Sequence, residues 1–133
     1  MIVFRRADAR TTPAVPFPDT TAFDALLGTH AAYTYVVDVR IVDADAIQKI
    51  NAQYRTVDAP TDVLSFPLYE SLAQLPNHDA PLGDLVVCPA MLDTEHLAPA
   101  EVIIHGVLHL LGFDHETDQP AWDAAYAQVT PSA

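Results

Sequence analysis

The sequence predicts an α+β domain in which a small mixed β-sheet packs with helices. Three observations carry this. Short runs of β-branched and aromatic residues interleave with segments of helical periodicity, and their order does not require every strand to be parallel. Half of the 133 residues are apolar, enough for one core in a single domain spanning 1–133.

Ile2 to Phe4 reads as a short edge strand, after which Pro13, Pro16 and Pro18 punctuate a loop that cannot be a helix interior. Residues 1–18 are set apart as the N-terminal segment. Asp19 and Thr20 are suited to cap a short helix with Phe23, Leu26 and Leu27 on one face, and Gly28 ends it. From Tyr33 to Val42 a strand is expected with one wetter face, because Asp38 and Arg40 alternate with Val37, Val39 and Ile41. Asp43 caps a second helix whose Ile47, Ile50 and Tyr54 recur at helical spacing, and its last turn carries Asn51 and Arg55. After a break at Ala59-Pro60-Thr61, a short strand runs from Val63 to Phe66 and stops at Pro67. Residues 69–82 read as a surface connection and Asp84 to Cys88 as a strand closed by Pro89. Pro99 suits the first turn of a buried helix, the run from Glu101 to Leu111 continues it, and Gly112 terminates it. Thr117 and Pro120 start a final helix with Trp122, Ala125, Tyr126 and Val129 on its inner side.

Composition excludes several classes. The longest apolar stretches, such as Val102 to Ile104, fall far short of the roughly 18 residues of a membrane span, so no membrane partner is expected. The arginines near the start follow the apolar residues and no long apolar segment accompanies them, so the expected location is cytoplasmic. Cys88 stands alone, which excludes an internal disulfide and a cysteine-based zinc site; it is expected to be a small buried apolar residue. Six basic residues face eighteen acidic ones, giving a formal charge of −12. All six (Arg5, Arg6, Arg10, Arg40, Lys49 and Arg55) precede position 56, and twelve carboxylates follow it. This balance argues against a general nucleic-acid binder, and DNA is not an expected partner. Such self-repulsion also suggests tolerance of high salt, which screens it.

Three histidines fall within eleven residues, His105-Gly106-Val107-Leu108-His109-Leu110-Leu111-Gly112-Phe113-Asp114-His115, with the spacing H-x3-H-x5-H. Residues four apart on a helix share a face with Cβ atoms about 6 Å apart, so His105 and His109 can meet one ion. Gly112 can turn the chain back to bring His115 to the same ion. Three neutral imidazoles leave a fourth position for water, the arrangement of a catalytic zinc site, where the pKa of that water falls to about 7. His30, His78 and His96 read as ordinary surface histidines. Asp114 either supports a ligand imidazole through its second nitrogen or is a turn residue.

The same histidine spacing occurs in metzincin proteases, but their proton-handling Glu is replaced here by Gly106. The full segment instead resembles the signature of the bacterial YbeY family, rRNA maturation factors regarded as metal-dependent endoribonucleases. Asn51-Ala52-Gln53-Tyr54-Arg55 with Asp58-Ala59-Pro60-Thr61-Asp62-Val63-Leu64-Ser65-Phe66-Pro67 resembles its second block, and Gly83-Asp84-Leu85-Val86-Val87 its third, so the likeness covers roughly residues 33–126 and implies that residues 1–18 are a variable N-terminal segment. The resemblance implies a zincin-like metal helix, one Zn2+ per chain held by His105, His109 and His115, and Arg55 as the catalytic residue. A physical reason supports Arg55: phosphodiester cleavage builds charge on nonbridging oxygens, which paired guanidinium donors fit. Its alternative roles are to neutralise its helix C-terminus or to pair with Asp58. Thr61, Asp62 and Ser65 are expected to shape the cleft floor, with Asp62 as a proton acceptor the lesser reading. The implied function is single-strand-specific cleavage in rRNA processing, 16S 3′ end maturation and ribosome quality control, with single-stranded rRNA and the small ribosomal subunit or its assembly factors as partners. The chain departs from the family in a shorter stretch between Gly83 and His105, in Phe113 for a common Tyr, and in a bulky Trp122. Two other readings stand beside it, a zincin-type metallopeptidase and a non-catalytic zinc-containing ribosome assembly module.

Overall fold

Alternating valines set the sheet. In the computed structural model, which describes residues 1–6, 17–92 and 98–130, the strands are β1 (Ile2–Arg6), β2 (Tyr35–Ile41), β3 (Val63–Pro67) and β4 (Ala80–Val87). They lie in the order β1-β2-β4-β3, with β1, β2 and β4 parallel and β3 antiparallel to β4. The helices are α1 (Phe23–Leu27), α2 (Ala44–Arg55), α3 (Pro99–Leu110) and α4 (Gln119–Val129). This is the mixed α+β arrangement expected. Pro13, Pro16 and His96 lie outside the described residues.

Tyr35, Val37 and Val39 of β2 point into the main core together with Phe23 and Leu27 of α1, Ile103 and Val107 of α3, and Trp122 of α4. On β4, Leu85 and Val87 join this core, whereas Val86 and Cys88 alternate to the opposite face and meet Ile47 of α2 and Leu64 of β3. The sheet is thus covered by α1, α3 and α4 on one side, and by α2 over its β3–β4 edge on the other. Cys88 is buried and free, as a small apolar residue. No described helix is long and apolar enough to cross a membrane.

Several boundaries differ from the sequence expectation. β4 begins at Ala80, inside the stretch expected to be a surface connection, and Leu75 and Leu82 of that stretch are buried. Pro81 is accommodated because the register slips between Val36 and Val37, opposite Leu82, so the ladder tolerates its missing N–H. Asp43 caps α2 by accepting from Ala46 N at 2.8 Å, as expected. The N-cap of α1, however, is Ala22, because Asp19 turns its carboxylate to Thr21 instead. Asp118, not Thr117, caps α4, accepting from Ala121 N at 3.1 Å.

Gly106 lets α3 approach β4. A Cβ built there would stand 2.8 Å from Leu85 Cδ2, in a fully buried side chain. Gly106→Ala is expected to lower the unfolding free energy by up to about 2 kcal/mol, the cost of overpacking less the roughly 1 kcal/mol that alanine gains over glycine inside a helix. Urea unfolding measures it, and a variant more stable than the parent by that full gain would show that helix and sheet have room to spare.

Candidate functional site

Along α3, every residue from Val102 to Leu110 is buried except His105 and His109, which with Glu101 form a single half-exposed stripe. His105 and His109 of that stripe line a cleft of about 770 Å³, whose other walls are the end of α2, β3 and the loop after α3. The loop returns because α3 ends in a Schellman turn: Phe113 N donates to Leu108 O at 3.0 Å and Gly112 N to His109 O at 3.0 Å. Gly112 has φ +95°, and a Cβ there would meet Glu70 O at 2.5 Å, so glycine is required twice over. His115 thereby lines the same cleft, its ring centroid 5.8 Å from that of His109.

Burial is the largest influence holding both His105 and His109 below the usual imidazole pKa. At His105 the neighbouring His109 adds to the depression, while Glu101 and Asp62 oppose it. At His109, His115 and Arg55 reinforce it against Asp114 and the Phe113 backbone. Asp114 acts as a turn residue: its carboxylate accepts from Glu116 N at 2.9 Å and its carbonyl from Asp118 N at 2.9 Å.

Across the cleft, Arg55 is the last residue of α2 and is exposed. Thr56 beyond it takes the left-handed conformation, φ 57°, which turns the chain sharply after the arginine. No ion pair among the described residues engages Arg55, and Asp58 accepts from Gln48 Nε2 at 2.9 Å instead. Thr61, Asp62 and Ser65 line the floor as expected. Asp62 accepts from Val63 N at 2.8 Å, and Ser65 Oγ donates to Gly106 O at 3.3 Å, tying β3 to α3.

The donor set suits a borderline cation: three imidazoles on one cleft, two of them kept neutral by burial. Among the described residues no three His, Cys, Asp or Glu side chains are drawn together as a closed ligand set. His105, His109 and His115 stand around the ring of Trp122. His30 and His78 lie elsewhere, near Tyr35 and Asp79.

Helical periodicity had assigned Tyr54 to the apolar face of α2, yet it is 65% exposed and packs edge-on against Phe66, ring centroids 5.5 Å apart. The pair forms a wall shared with a second hollow of about 850 Å³ on the sheet face, which gathers Arg5, Arg6 and Arg40 with Asp38 and Asp84. There Arg5 grips Asp38 through two bonds, of 2.6 and 2.9 Å.

The family model described as endoribonuclease YbeY matches residues 20–125. A curated relative from Acinetobacter baumannii, named endoribonuclease YbeY, is 44% identical over 90 residues, covering 61% of this chain and 57% of the relative. One of the same name from Francisella tularensis subsp. novicida is 42% identical over 95 residues, 64% of this chain and 58% of the relative. The chain thus matches less than two thirds of the length of these relatives. The solution structure of TM1509 from Thermotoga maritima is 24% identical with a TM-score of 0.49, over 97% of this chain and 89% of the other.

The depressed imidazoles fix a pH dependence. In metal-free protein the folded state binds protons at His105 and His109 less readily than the unfolded chain, whose histidines titrate near ~6.5. Stability from this source is therefore full above ~6.5 and is lost as pH falls below it. Urea unfolding at a series of pH values should show a shallower acid loss for His105→Gln than for the parent; identical slopes would mean that the imidazole does not resist protonation.

Proposed function

This chain belongs to the endoribonuclease YbeY family, and on that premise we propose that it is a zinc-dependent, single-strand-specific endoribonuclease that processes ribosomal RNA in the cytoplasm. Its tasks on this reading are maturation of the 16S 3′ end and ribosome quality control, with the small ribosomal subunit or its assembly factors as partners. The observation that carries the reading is the meeting of three imidazoles and an arginine free of ion pairs among the described residues on the walls of one cleft.

His105, His109 and His115 would hold the ion. When bound, it would supply a Lewis acid and an acidified water. Arg55 offers paired N–H donors to the nonbridging oxygens of a phosphodiester, and its grip tightens as negative charge grows there. Tyr54, exposed and braced by Phe66, presents a ring on which an unpaired base can stack, a contact of about 1–3 kcal/mol per base that a paired duplex cannot make. This favours single strands.

Position 106 bears on the peptidase alternative. Its Cα faces Leu85 in the core, so a carboxylate there would have no route to the cleft. The charge of −12, with no Lys or Arg after Arg55, predicts weak affinity for naked RNA and favours a substrate delivered on a precursor subunit.

Cleavage of a labelled single-stranded RNA by zinc-loaded protein tests the assignment. Arg55→Ala should reduce kcat/KM by about 100- to 1000-fold, the usual loss for a donor to a developing oxyanion. Arg55→Lys should recover part of it, and a chelator should abolish cleavage until zinc is restored. Full activity in Arg55→Ala removes the arginine from the mechanism; an inactive parent that still binds one zinc ion leaves the assembly module or an enzyme that acts only on the ribosome, and cleavage tested on a precursor subunit separates the two.

A further inference from the structure

We propose that Trp122 is the positioning residue of the metal centre, one rigid ring behind all three imidazoles that makes divalent-cation affinity depend on α4. The inference rests on the metal reading of His105, His109 and His115.

The three histidines come from two turns of α3 and from the loop beyond it, yet each meets the same side chain. Ring centroids lie 5.4 Å from Trp122 at His105, 4.9 Å at His109 and 5.3 Å at His115. The imidazoles of His105 and His115 stand edge-on, at 84° and 78°, and that of His109 is tilted at 38°. Trp122 is only 6% exposed, and it is not among the residues that line the cleft, so the indole stands behind the imidazoles and the cleft in front of them.

Each of the three imidazoles thus has one side occupied by the same indole. Trp122 therefore narrows the orientations open to each ligand before an ion arrives, and less ordering entropy is lost on binding. The wall is itself anchored. Tyr126 stacks on Trp122 at 6.5 Å and 13°, sets its ring edge against His105 at 5.0 Å, and donates its hydroxyl to Glu101 Oε2 at 2.9 Å, one turn before His105. Edge contacts between aromatic rings prefer this geometry. Elsewhere on α4, Ala125 and Val129 fill the core as ordinary apolar side chains. A residue chosen only for volume at position 122 need not be aromatic.

Zinc affinity of the full chain, measured by competition with a chromophoric chelator, tests the proposal on Trp122→Leu, Trp122→Phe and Val129→Ala, with circular-dichroism melts of each metal-free form. Trp122→Leu should weaken zinc binding by about 10- to 100-fold, the range seen when a group that orients metal ligands is lost. Trp122→Phe, which keeps an aromatic ring, should restore most of it. Val129→Ala should lower the Tm while leaving the affinity unchanged. Trp122 is the sole tryptophan, so the parent's intrinsic fluorescence should shift as one zinc ion binds per chain. Equal affinity in Trp122→Leu and the parent, or an equal loss in Val129→Ala, overturns the proposal. A parent that takes up no zinc instead overturns the metal reading, and the proposal with it.

Discussion

The close packing of α3 onto β4 is the constraint on which the rest of the molecule depends. Gly106 lets the helix axis sit where any side chain would collide with Leu85, and the neighbouring residues Val102 to Ile104, Val107, Leu108 and Leu110 are buried around it. A helix so enclosed leaves polar atoms one outlet, the stripe of Glu101, His105 and His109. The two functions of the helix are therefore inseparable. The glycine that brings the sheet close also directs position 106 away from the cleft, and the same burial keeps the two imidazoles neutral and able to donate to a metal.

Two sharp turns complete the cleft from either side, by different means. After α3, Gly112 adopts a positive φ at no steric cost and returns His115 toward His109. After α2, the comparable duty falls to Thr56, a β-branched residue for which the left-handed region is unfavourable. Its hydroxyl donates to Arg55 O at 2.6 Å, satisfying one of the carbonyls left open at the helix end. Strain is thus held next to the arginine, and Asn51, buried beneath, ties down the turn: its side-chain amide donates to Ala59 O at 2.9 Å and its backbone carbonyl accepts from Val57 N at 3.4 Å.

Features legible in the sequence were those with a local cause. The Asp43 cap, the alternation in β2 and the Gly112 stop each follow from a few adjacent residues, and the spacing of the histidines announced one shared helical face. What was not legible depended on partners distant in sequence. Pro81 argued against a strand, but pairing with β2 and a register slip overrode it. Tyr54 fitted the apolar period of α2, yet in the last turn of that helix its ring is exposed and meets Phe66 at the cleft instead of the core. Trp122 was legible as buried. That it is buried against His105, His109 and His115 required the docking of α4, which no local pattern encodes.

The charge distribution takes on meaning once the cleft is assembled. Its α3 side and returning loop carry Asp114 and Glu116, its floor carries Asp62, and only its α2 side carries a cation, Arg55. With a screening length near ~8 Å at physiological salt, a polyanion approaching the acidic half would be repelled until it reached that edge. A divalent cation meets the opposite field, since the same carboxylates raise its local concentration. On the proposed reading the ion is then more than a source of reactive water. A cation held by His105, His109 and His115 would also offset the charge of this acidic wall, while Arg55 would supply positive charge from the other side.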